Sequence, residues 1–314
     1  MELNTTRGWS TFTRHFKRDW RLYVLIMIPL IYQIVFCYFP MYGVQIAFRD
    51  YRPRSGILGS EWVGLRWFEQ FLNDRHFGAV FSNTVILSLY SMVAHFPLPI
   101  IFALILNCLR NEKYKSTVQT ITYLPHFIST TVMVSIVMLL LSPVCGLYGS
   151  FYRLFGGTGY PTDFRSTAAA FRHLYVWSGV WQGLGWSSII YTSALSAVPA
   201  ELHEAAKIDG ASRFKRILYV DIPAIAPTIG IMFLMNVSGL IGVGFEKAYM
   251  MQTSLNLSTS EVLSTFVYKY GMSSFRDYSF GSAVGLFNTA VNLVLLFITN
   301  AITKKSSSGE IALF

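Results

Sequence analysis

The sequence predicts an all-α polytopic membrane protein with six transmembrane helices. Of its 314 residues, 53% are hydrophobic and only 13% are charged, and the mean hydropathy is +0.44. This composition indicates a surface that faces lipid, because a soluble chain of this length needs more charge. Apolar stretches long enough to cross a bilayer as helices recur along the chain, and polar loops separate them.

The apolar stretches define the predicted spans. They are Leu22–Tyr42, Asn83–Leu106, Ile121–Leu141, Phe171–Leu195, Thr228–Phe245 and Tyr278–Ile302. Residues 1–21 carry five basic residues and aromatic residues near helical spacing, which suits an interfacial helix. The apolar stretch after them continues for a full membrane crossing and lacks a small-residue cleavage site. We therefore interpret it as a retained anchor and not as a signal peptide.

Lysine and arginine predict the orientation in the membrane. The interfacial segment 1–21 has five, the loop 107–120 has three, the block 199–223 has four and the tail 303–314 has two, which places 14 of the 25 on one side. The others lie mostly in long loops, where charge has little effect on topology. Both termini are therefore predicted to be cytoplasmic, flanking a transmembrane domain over 22–302.

Two spans carry small or amide residues at helical spacing, which predicts protein contacts on those faces. Gly179 and Gly183 form a small-xxx-small pair in the fourth span. The corresponding residues in the sixth span are Gly281, Gly285, Asn288 and Asn292. In the external segment before that span, Ser258–Glu261 is predicted to be a capping box for a helix over Val262–Tyr270 that ends at Gly271.

The longest polar run, residues 199–227, predicts a helix-turn-helix block between two spans. Glu201–Asp209 forms its first helix, with carboxylates in the first turn where the helix dipole favours them. Arg213–Val220 forms the second. The predicted boundaries are Gly210 as the C′ residue, Ser212 as an N-cap, and Pro223 and Pro227, which end the second helix and open the next element.

This block resembles the EAA loop of importer-type ABC permeases, the membrane subunits that work with a solute-binding protein. The matching residues are Glu204-Ala205-Ala206, Asp209-Gly210-Ala211, Phe214, Ile217, Ile222-Pro223 and Pro227. The resemblance implies the permease fold of the maltose-transporter type. In that family the loop is cytoplasmic and its first helix docks on the ATPase. This implies an ATPase-coupling role for Glu204, Ala205, Ala206, Asp209 and Gly210.

Further motifs are similar to those of the oligo- and polysaccharide branch of the sugar permeases, which includes alginate importers. They are Leu124–Ser129, Gly244–Lys247, Leu255–Leu257, Thr259–Val262 and Gly285–Asn288. The resemblance implies a multi-pass protein of the bacterial cytoplasmic membrane that translocates a carbohydrate oligomer. Its implied partners are a second homologous permease, two ATPase subunits and a periplasmic or extracellular binding protein. ATP and Mg²⁺ would be bound by the ATPases, so no cofactor or metal is expected in this chain.

The sequence contains no recognisable catalytic or nucleotide-binding motif. No G-x-x-x-x-G-K-[ST] loop is present to cradle nucleotide phosphates, and no nucleophile–base constellation points to an enzyme. His95 and His126 lack a second ligand at helical spacing and are interpreted as satisfied polar residues or cavity liners. Single cysteines are interpreted as packing residues, and no basic stripe with interleaved aromatics predicts nucleic acid binding.

The main alternative is an ion-coupled secondary transporter of small solutes. It would need intramembrane ionisable residues or inverted repeats with broken helices, and the sequence shows neither. A membrane enzyme is a more distant alternative.

Candidates for the solute path are amides and aromatic residues within spans, since sugars need polar partners and aromatic faces. They are Gln182, Trp181, Asn288 and Asn292. Hydrogen bonding between helices is the alternative role for the amides. An acidic sugar would also need cations near the outer mouth, for which the candidates are Lys247, Lys269 and Arg276.

Overall fold

The chain is mostly helical in the computed structural model, which describes residues 6–240, 242–273 and 276–306. The α-helices are α1 (Thr6–Gln33), α2 (Arg66–Leu72), α3 (Phe77–His95), α4 (Pro97–Asn107), α5 (Glu112–Tyr123), α6 (Thr130–Leu140), α7 (Leu147–Leu154), α8 (Ala168–Ser196), α9 (Ala200–Ile208), α10 (Arg213–Arg216), α11 (Ile222–Ser238), α12 (Phe245–Met251), α13 (Leu257–Ser260), α14 (Leu263–Tyr268) and α15 (Tyr278–Ser306). Turns of 3₁₀ helix cover Phe39–Phe48 and Leu124–Phe127, and π-helical turns cover Ile34–Tyr38, Ile217–Asp221 and Lys269–Ser273. Strands β1 (Arg49–Asp50) and β2 (Glu61–Trp62) pair as an antiparallel hairpin, with Arg49 opposite Trp62.

Membrane crossings agree in part with the predicted spans. Four of the described segments are long and apolar enough to cross: Arg18–Phe48, Phe77–Asn107, Arg213–Val237 and Tyr278–Ala301. A fifth crossing results if the bent pair over 112–140 is one span. The predicted fourth span lies within α8, which has 29 residues but is less apolar and is surrounded by α3, α4, α5 and α11. The count of six spans therefore stays a prediction.

The third predicted span is broken, so the expectation of one continuous helix over 121–141 was wrong. The helix axis bends by 102° between the segment before the break and the segment after it. Ile128 and Ser129 are extended at the bend, and the Ser129 hydroxyl accepts a hydrogen bond from the Val132 N–H, which caps α6. Pro125 lies in the 3₁₀ turn before the bend and provides no N–H to continue an α-helix.

The fifth span starts about fifteen residues earlier than predicted, at Arg213, and its helix ends at Ser238. Pro223 and Pro227 do not end the preceding helix, contrary to the first part of the prediction, but Pro223 does open the next helix as predicted. A π-helical turn over Ile217–Asp221 leads directly into α11, and Pro223 occupies its first turn, where a missing N–H costs little. Pro227 lies inside the helix. Residues 239–244 are non-helical where they are described, so the chain leaves the span as a loop.

The predicted capping box at Ser258–Glu261 was also wrong. Residues 257–260 form α13 themselves, and Glu261 follows as its C-cap. The next helix, α14, begins after Val262, whose N–H donates to the hydroxyl of Thr265. It continues as a π-helical turn through Gly271 and does not stop there.

Glycines lie at the closest contacts between helices, but only some of the glycines that were predicted to do so are at such contacts. A Cβ on Gly179 would lie 2.7 Å from His95 Nε2, whereas Gly183 has nothing within 4 Å. The close approach on that helix is instead at Gly185, where a Cβ would lie 2.2 Å from the carbonyl oxygen of Thr122 in α5. Near the start of α15, a Cβ added to Gly281 would lie 2.7 Å from the Cα of Gly271.

Three apolar clusters hold the helices together. One surrounds α8 with residues of α3, α6 and α12, and a second joins α15 to α2, α14 and the segment before the hairpin. The third joins α4, α8 and α11 near the start of α9. From Trp20 onward, most large side chains of α1 are exposed, including Leu25 and Ile28 at 71%. This part of the first span therefore stands outside the bundle, whereas its end at Ala47 and Phe48 packs in the second cluster. The other spans position the site.

Candidate functional site

A cavity of about 440 Å³ lies between α3, α4, α8, α11 and the loop that leads into α12. Its polar lining residues are Ser88, Ser91, His95, Tyr175, Gln182, Ser187, Tyr191, Asn236 and Lys247. Its apolar lining residues include Met92, Phe96 and Met232. Polar and apolar groups alternate around the space, as in pockets that bind sugars by their hydroxyl groups and their C–H faces.

Some polar groups of the cavity lining are not satisfied within the chain. The hydroxyl oxygens of Ser88 and Ser91 are buried and have no hydrogen-bond partner among the described residues. The imidazole of His95 uses Nδ1 on the Ser91 carbonyl oxygen at 2.9 Å. Asn236 donates from Nδ2 to the Met232 carbonyl oxygen at 2.8 Å, within its own helix. Unsatisfied hydroxyls at the wall of a cavity offer partners to a hydroxylated solute or to water.

Lys247 provides the positive charge of the cavity. Its side chain is only 9% exposed, and Nζ donates to the Tyr175 carbonyl oxygen at 2.6 Å while lying 4.6 Å from the centre of the Tyr175 ring. Among the described residues, no carboxylate forms an ion pair with it. The neighbouring Glu246 instead accepts a hydrogen bond from Thr131. A buried ammonium group without an anionic partner suits an anionic ligand, since an unpaired buried charge is costly.

Gly179 allows Lys247 and His95 to approach the same point. A Cβ at this position would lie 2.9 Å from Lys247 Nζ and 2.7 Å from His95 Nε2, too close for either side chain to stay in place. The glycine that was predicted to contact another helix therefore contacts two cavity side chains. His95 lines the cavity, in line with one of its two interpretations, whereas the exposed His126 stacks on Trp186 with ring centres 4.4 Å apart.

Of the four residues predicted to line the solute path, the structure places one in the cavity and three outside it. Gln182 lines the cavity, and its Nε2 donates to the Ile128 carbonyl oxygen at the bend between α5 and α6, 2.8 Å away. Trp181 is 47% exposed and is not in the lining. Asn288 and Asn292 lie on α15, outside the cavity, and the buried Oδ1 of Asn288 lacks a hydrogen-bond partner in the structure.

The three predicted cations do not form one cluster. Lys247 is in the cavity, whereas Lys269 forms a 3.1 Å ion pair with Glu261 and is not in the cavity lining. Arg276 is exposed and has a positive φ of 53°.

Several lining residues, among them Ser88, Ser91 and Asn236, are ones that the sequence interpretation missed. Ser88 and Ser91 precede His95 by seven and four residues along α3, so all three share one face of that helix. This spacing of polar residues inside an apolar span was a usable signal. Asn236 had no comparable signal, because it is an isolated amide whose position against α8 depends on the packing of α11.

The turn between α9 and α10 has the boundary residues that the sequence predicted, whereas the predicted second helix over Arg213–Val220 is α10 and a π-helical turn that leads into α11. After α9 the chain turns at Gly210, whose φ is +74°, and the N–H groups of Ala211 and Gly210 donate to the carbonyls of Ala206 and Lys207. This is a complete Schellman motif, which needs a residue that tolerates positive φ. Ser212 then caps α10 through the Lys215 N–H at 3.3 Å.

The surface of α9 is open for docking. None of its residues is buried in this chain, Glu204 and Ala205 are exposed, and Ile208 is 87% exposed. Phe214, just beyond the turn, is 72% exposed. A short helix that presents small and apolar side chains beside an unpaired carboxylate suits an interface with another protein.

Comparison with known families decides the class of protein. A model of the "binding-protein-dependent transport system inner membrane component" matches residues 95–308. The chain belongs to this family. The match covers the cavity helices α4, α8 and α11 and the helix-turn-helix block, but of α3 it includes only the last residue, His95. Membership in a transport permease family, which is not catalytic, excludes the membrane-enzyme and secondary-transporter alternatives.

Individual permeases are similar over almost the whole chain. Protein LplB of Bacillus subtilis (strain 168) is 39% identical over 289 residues, which cover 92% of this chain and 90% of LplB. The polygalacturonan/rhamnogalacturonan transport system permease protein YteP of the same strain is 38% identical, with 90% and 88% covered. Both relatives match well beyond the residues of the family model.

Solved structures agree with the permease fold. The crystal structure of a bacterial ABC transporter involved in the import of the acidic polysaccharide alginate contains a chain with a TM-score of 0.85 and 32% identity. The match covers 94% of this permease and 99% of that chain. A chain of the bacterial alginate ABC transporter in complex with its alginate pentasaccharide-bound periplasmic protein gives a TM-score of 0.84.

Proposed function

We propose that this permease is the membrane-spanning subunit of an ATP-driven importer for an acidic oligo- or polysaccharide, which passes through the cavity between α3, α8 and α11. The observation that carries the proposal is that one cavity is lined both by the buried Lys247, which forms no ion pair with a carboxylate among the described residues, and by two serines whose hydroxyls lack hydrogen-bond partners. Names of similar permeases support it, since YteP transports polygalacturonan and rhamnogalacturonan and the structural relatives import alginate.

In this proposal Lys247 binds a sugar carboxylate. Its ammonium group would exchange the Tyr175 carbonyl for the stronger charge-assisted hydrogen bond to a carboxylate. Ser88, Ser91 and His95 would bind sugar hydroxyls elsewhere on the same sugar chain. Of the other predicted cations, Lys269 is held by Glu261 and Arg276 lies outside the cavity, so we assign the carboxylate to Lys247.

We also propose that α9 docks on an ATPase subunit. The small side chains of the exposed Ala205 and the half-buried Ala206 would allow the backbone of α9 to approach that of the ATPase closely. Glu204 would pair with a cation of the ATPase. Asp209 and Gly210 form the turn that joins α9 rigidly to α10. Because α10 continues through a π-helical turn into α11, movement of α9 would be transmitted to a wall of the cavity.

The proposed assembly contains a second homologous permease, two ATPase subunits that bind ATP and Mg²⁺, and a solute-binding protein. In the proposed orientation both termini and the α9–α10 block lie in the cytoplasm, with the hairpin of β1 and β2 outside. Alternating access would come from rocking of the spans that line the cavity.

Uptake by the reconstituted importer tests the assignment of Lys247. Lys247→Met should reduce uptake of oligogalacturonate at least tenfold and leave complex assembly intact, whereas Lys247→Arg should retain part of the activity. Lys269→Met is the matched control, because it removes a lysine whose partner is Glu261. Equal uptake by wild type and Lys247→Met, with ATP still required, would refute the carboxylate assignment. ATP-independent uptake would refute the importer itself.

A further inference from the structure

A second cavity, of about 290 Å³, lies between the end of α4, the helix α9 and the start of the fifth span. Its lining residues are Asn107, Cys108, Leu109, Arg110, His203, Lys207, Arg213, Arg216, Ile217 and Asp221. Four of them are always cationic near neutral pH, and Asp221 is the only acidic residue in the lining. We refer to this space as the basic pocket.

The cations of the basic pocket outnumber the acidic groups in its lining by four to one. None of Arg110, Lys207, Arg213 and Arg216 takes part in an ion pair among the described residues, and the buried Nε of Arg216 has no hydrogen-bond acceptor there. Asp221 is 3% exposed and already occupied, since its carboxylate lies 3.3 Å from His203 Nε2 and 3.5 Å from Asn107 Nδ2. The pocket therefore has an excess of positive charge and an unused donor.

The basic pocket lies at the boundary of the hydrocarbon region. Asn107 is the last residue of one membrane segment, Phe77–Asn107, and Arg213 is the first of another, Arg213–Val237. Apolar side chains next to the pocket on both helices point outward: Ile105 is 56% exposed, Leu218 43% and Tyr219 73%. A group bound here would have its charge among arginines and its remainder against an apolar, lipid-facing surface.

We infer that the basic pocket binds the phosphate of an anionic phospholipid from the adjacent leaflet. Guanidinium groups bind phosphate through paired, charge-assisted hydrogen bonds, and basic pockets between membrane helices bind anionic head groups. A free phosphate ion shares this chemistry, but the exposed apolar strip of Ile105, Leu218 and Tyr219 favours a ligand with acyl chains. The lipid would touch α4, α9 and α10 together, and so would brace the block that we propose docks on the ATPase.

Lipid retention by the complete importer tests this inference. The complex is purified, delipidated in detergent, incubated with dioleoylphosphatidylglycerol or dioleoylphosphatidylcholine, and analysed by native mass spectrometry. Wild type should retain phosphatidylglycerol in preference to phosphatidylcholine. Arg213→Gln/Arg216→Gln should retain at least fivefold less phosphatidylglycerol, and the exposed single variant Arg213→Gln should show an intermediate loss if the double variant fails to assemble.

A charge-matched control separates the pocket from general attraction of anionic lipid. Lys113→Gln/Lys215→Gln removes two positive charges from the same end of the protein, but neither lysine lines the pocket. This control should retain phosphatidylglycerol like wild type. Equal loss in both double variants, or no loss in either, would overturn the inference.

Two further results would also overturn it. Stabilisation of the wild type by inorganic phosphate, without selective lipid retention, would show that the pocket takes a free anion. Loss of the ATPase subunits from the double variant with lipid retention unchanged would show that the arginines contact the ATPase. The inference concerns lipid retention alone, so a failure of the transport experiment on Lys247 would leave its test unaffected.

Discussion

Three glycines on α8 provide a graded test of the packing around the cavity. In Gly185→Ala the new Cβ would lie 2.2 Å from the carbonyl oxygen of Thr122 and 2.5 Å from its carbon. Both are backbone atoms, so α5 and α8 must separate, at a cost near the upper end of the roughly 1–3 kcal/mol typical of overpacking. Replacing glycine by alanine inside a helix stabilises the helix by about 1 kcal/mol, which offsets part of this cost. The net destabilisation is therefore about 2 kcal/mol.

Gly183→Ala has the opposite expectation, because no atom lies within 4 Å of the new Cβ. Only the gain in helix propensity applies, and we expect stabilisation of up to about 1 kcal/mol. Gly179→Ala lies between the two. Its Cβ would meet the ends of the His95 and Lys247 side chains, which are able to move, so stability should change little while the cavity loses its arrangement.

Thermal stability and uptake of the assembled complex distinguish the three variants. Gly185→Ala should lower the midpoint of thermal unfolding by roughly 4–8 °C, the shift that about 2 kcal/mol produces in domains of 150–250 residues. Gly183→Ala should match or exceed wild type in both assays. Gly179→Ala should keep its stability and lose uptake. Similar stability of Gly185→Ala and Gly183→Ala would refute the close approach of α5 to α8.

Other predictions concern coupling, topology and the amide in the cavity wall. Glu204→Ala should reduce substrate-stimulated ATP hydrolysis and transport together, whereas Glu201→Ala, one turn earlier on α9, should not; normal values for Glu204→Ala would remove it from the coupling interface. In intact cells, an impermeant thiol reagent should label a single-cysteine variant that retains Cys145 before one that retains Cys108, and external labelling of Cys108 would contradict the proposed orientation. Gln182→Ala should lower uptake per assembled complex; a lower yield with unchanged uptake per complex would instead assign the amide to helix packing.

Local chemistry explains why the sequence succeeded with the turn between α9 and α10. Gly210 adopts the positive φ that ends α9, and Ser212 caps α10, because both interactions are completed within a few residues. The start of the fifth span was placed too late because Pro223 was expected to end one helix as well as open the next. Pro223 lies in the first turn of α11, where its missing N–H costs little, so the chain stays helical from Arg213 onward.

The sequence by itself determined that the chain is a helical membrane protein with a polar helix-turn-helix block, since composition and local turn chemistry encode both, and the resemblance of its motifs indicated the ABC permease family. It also indicated Gln182 and Lys247, which the structure places in one cavity. Only the tertiary structure decided that Asn288, Asn292 and Trp181 lie away from that cavity, and that Ser88, Ser91 and Asn236 line it. Helical periodicity shows which residues share a face, but the neighbour of each face depends on how separate helices pack, through contacts between residues far apart in the chain.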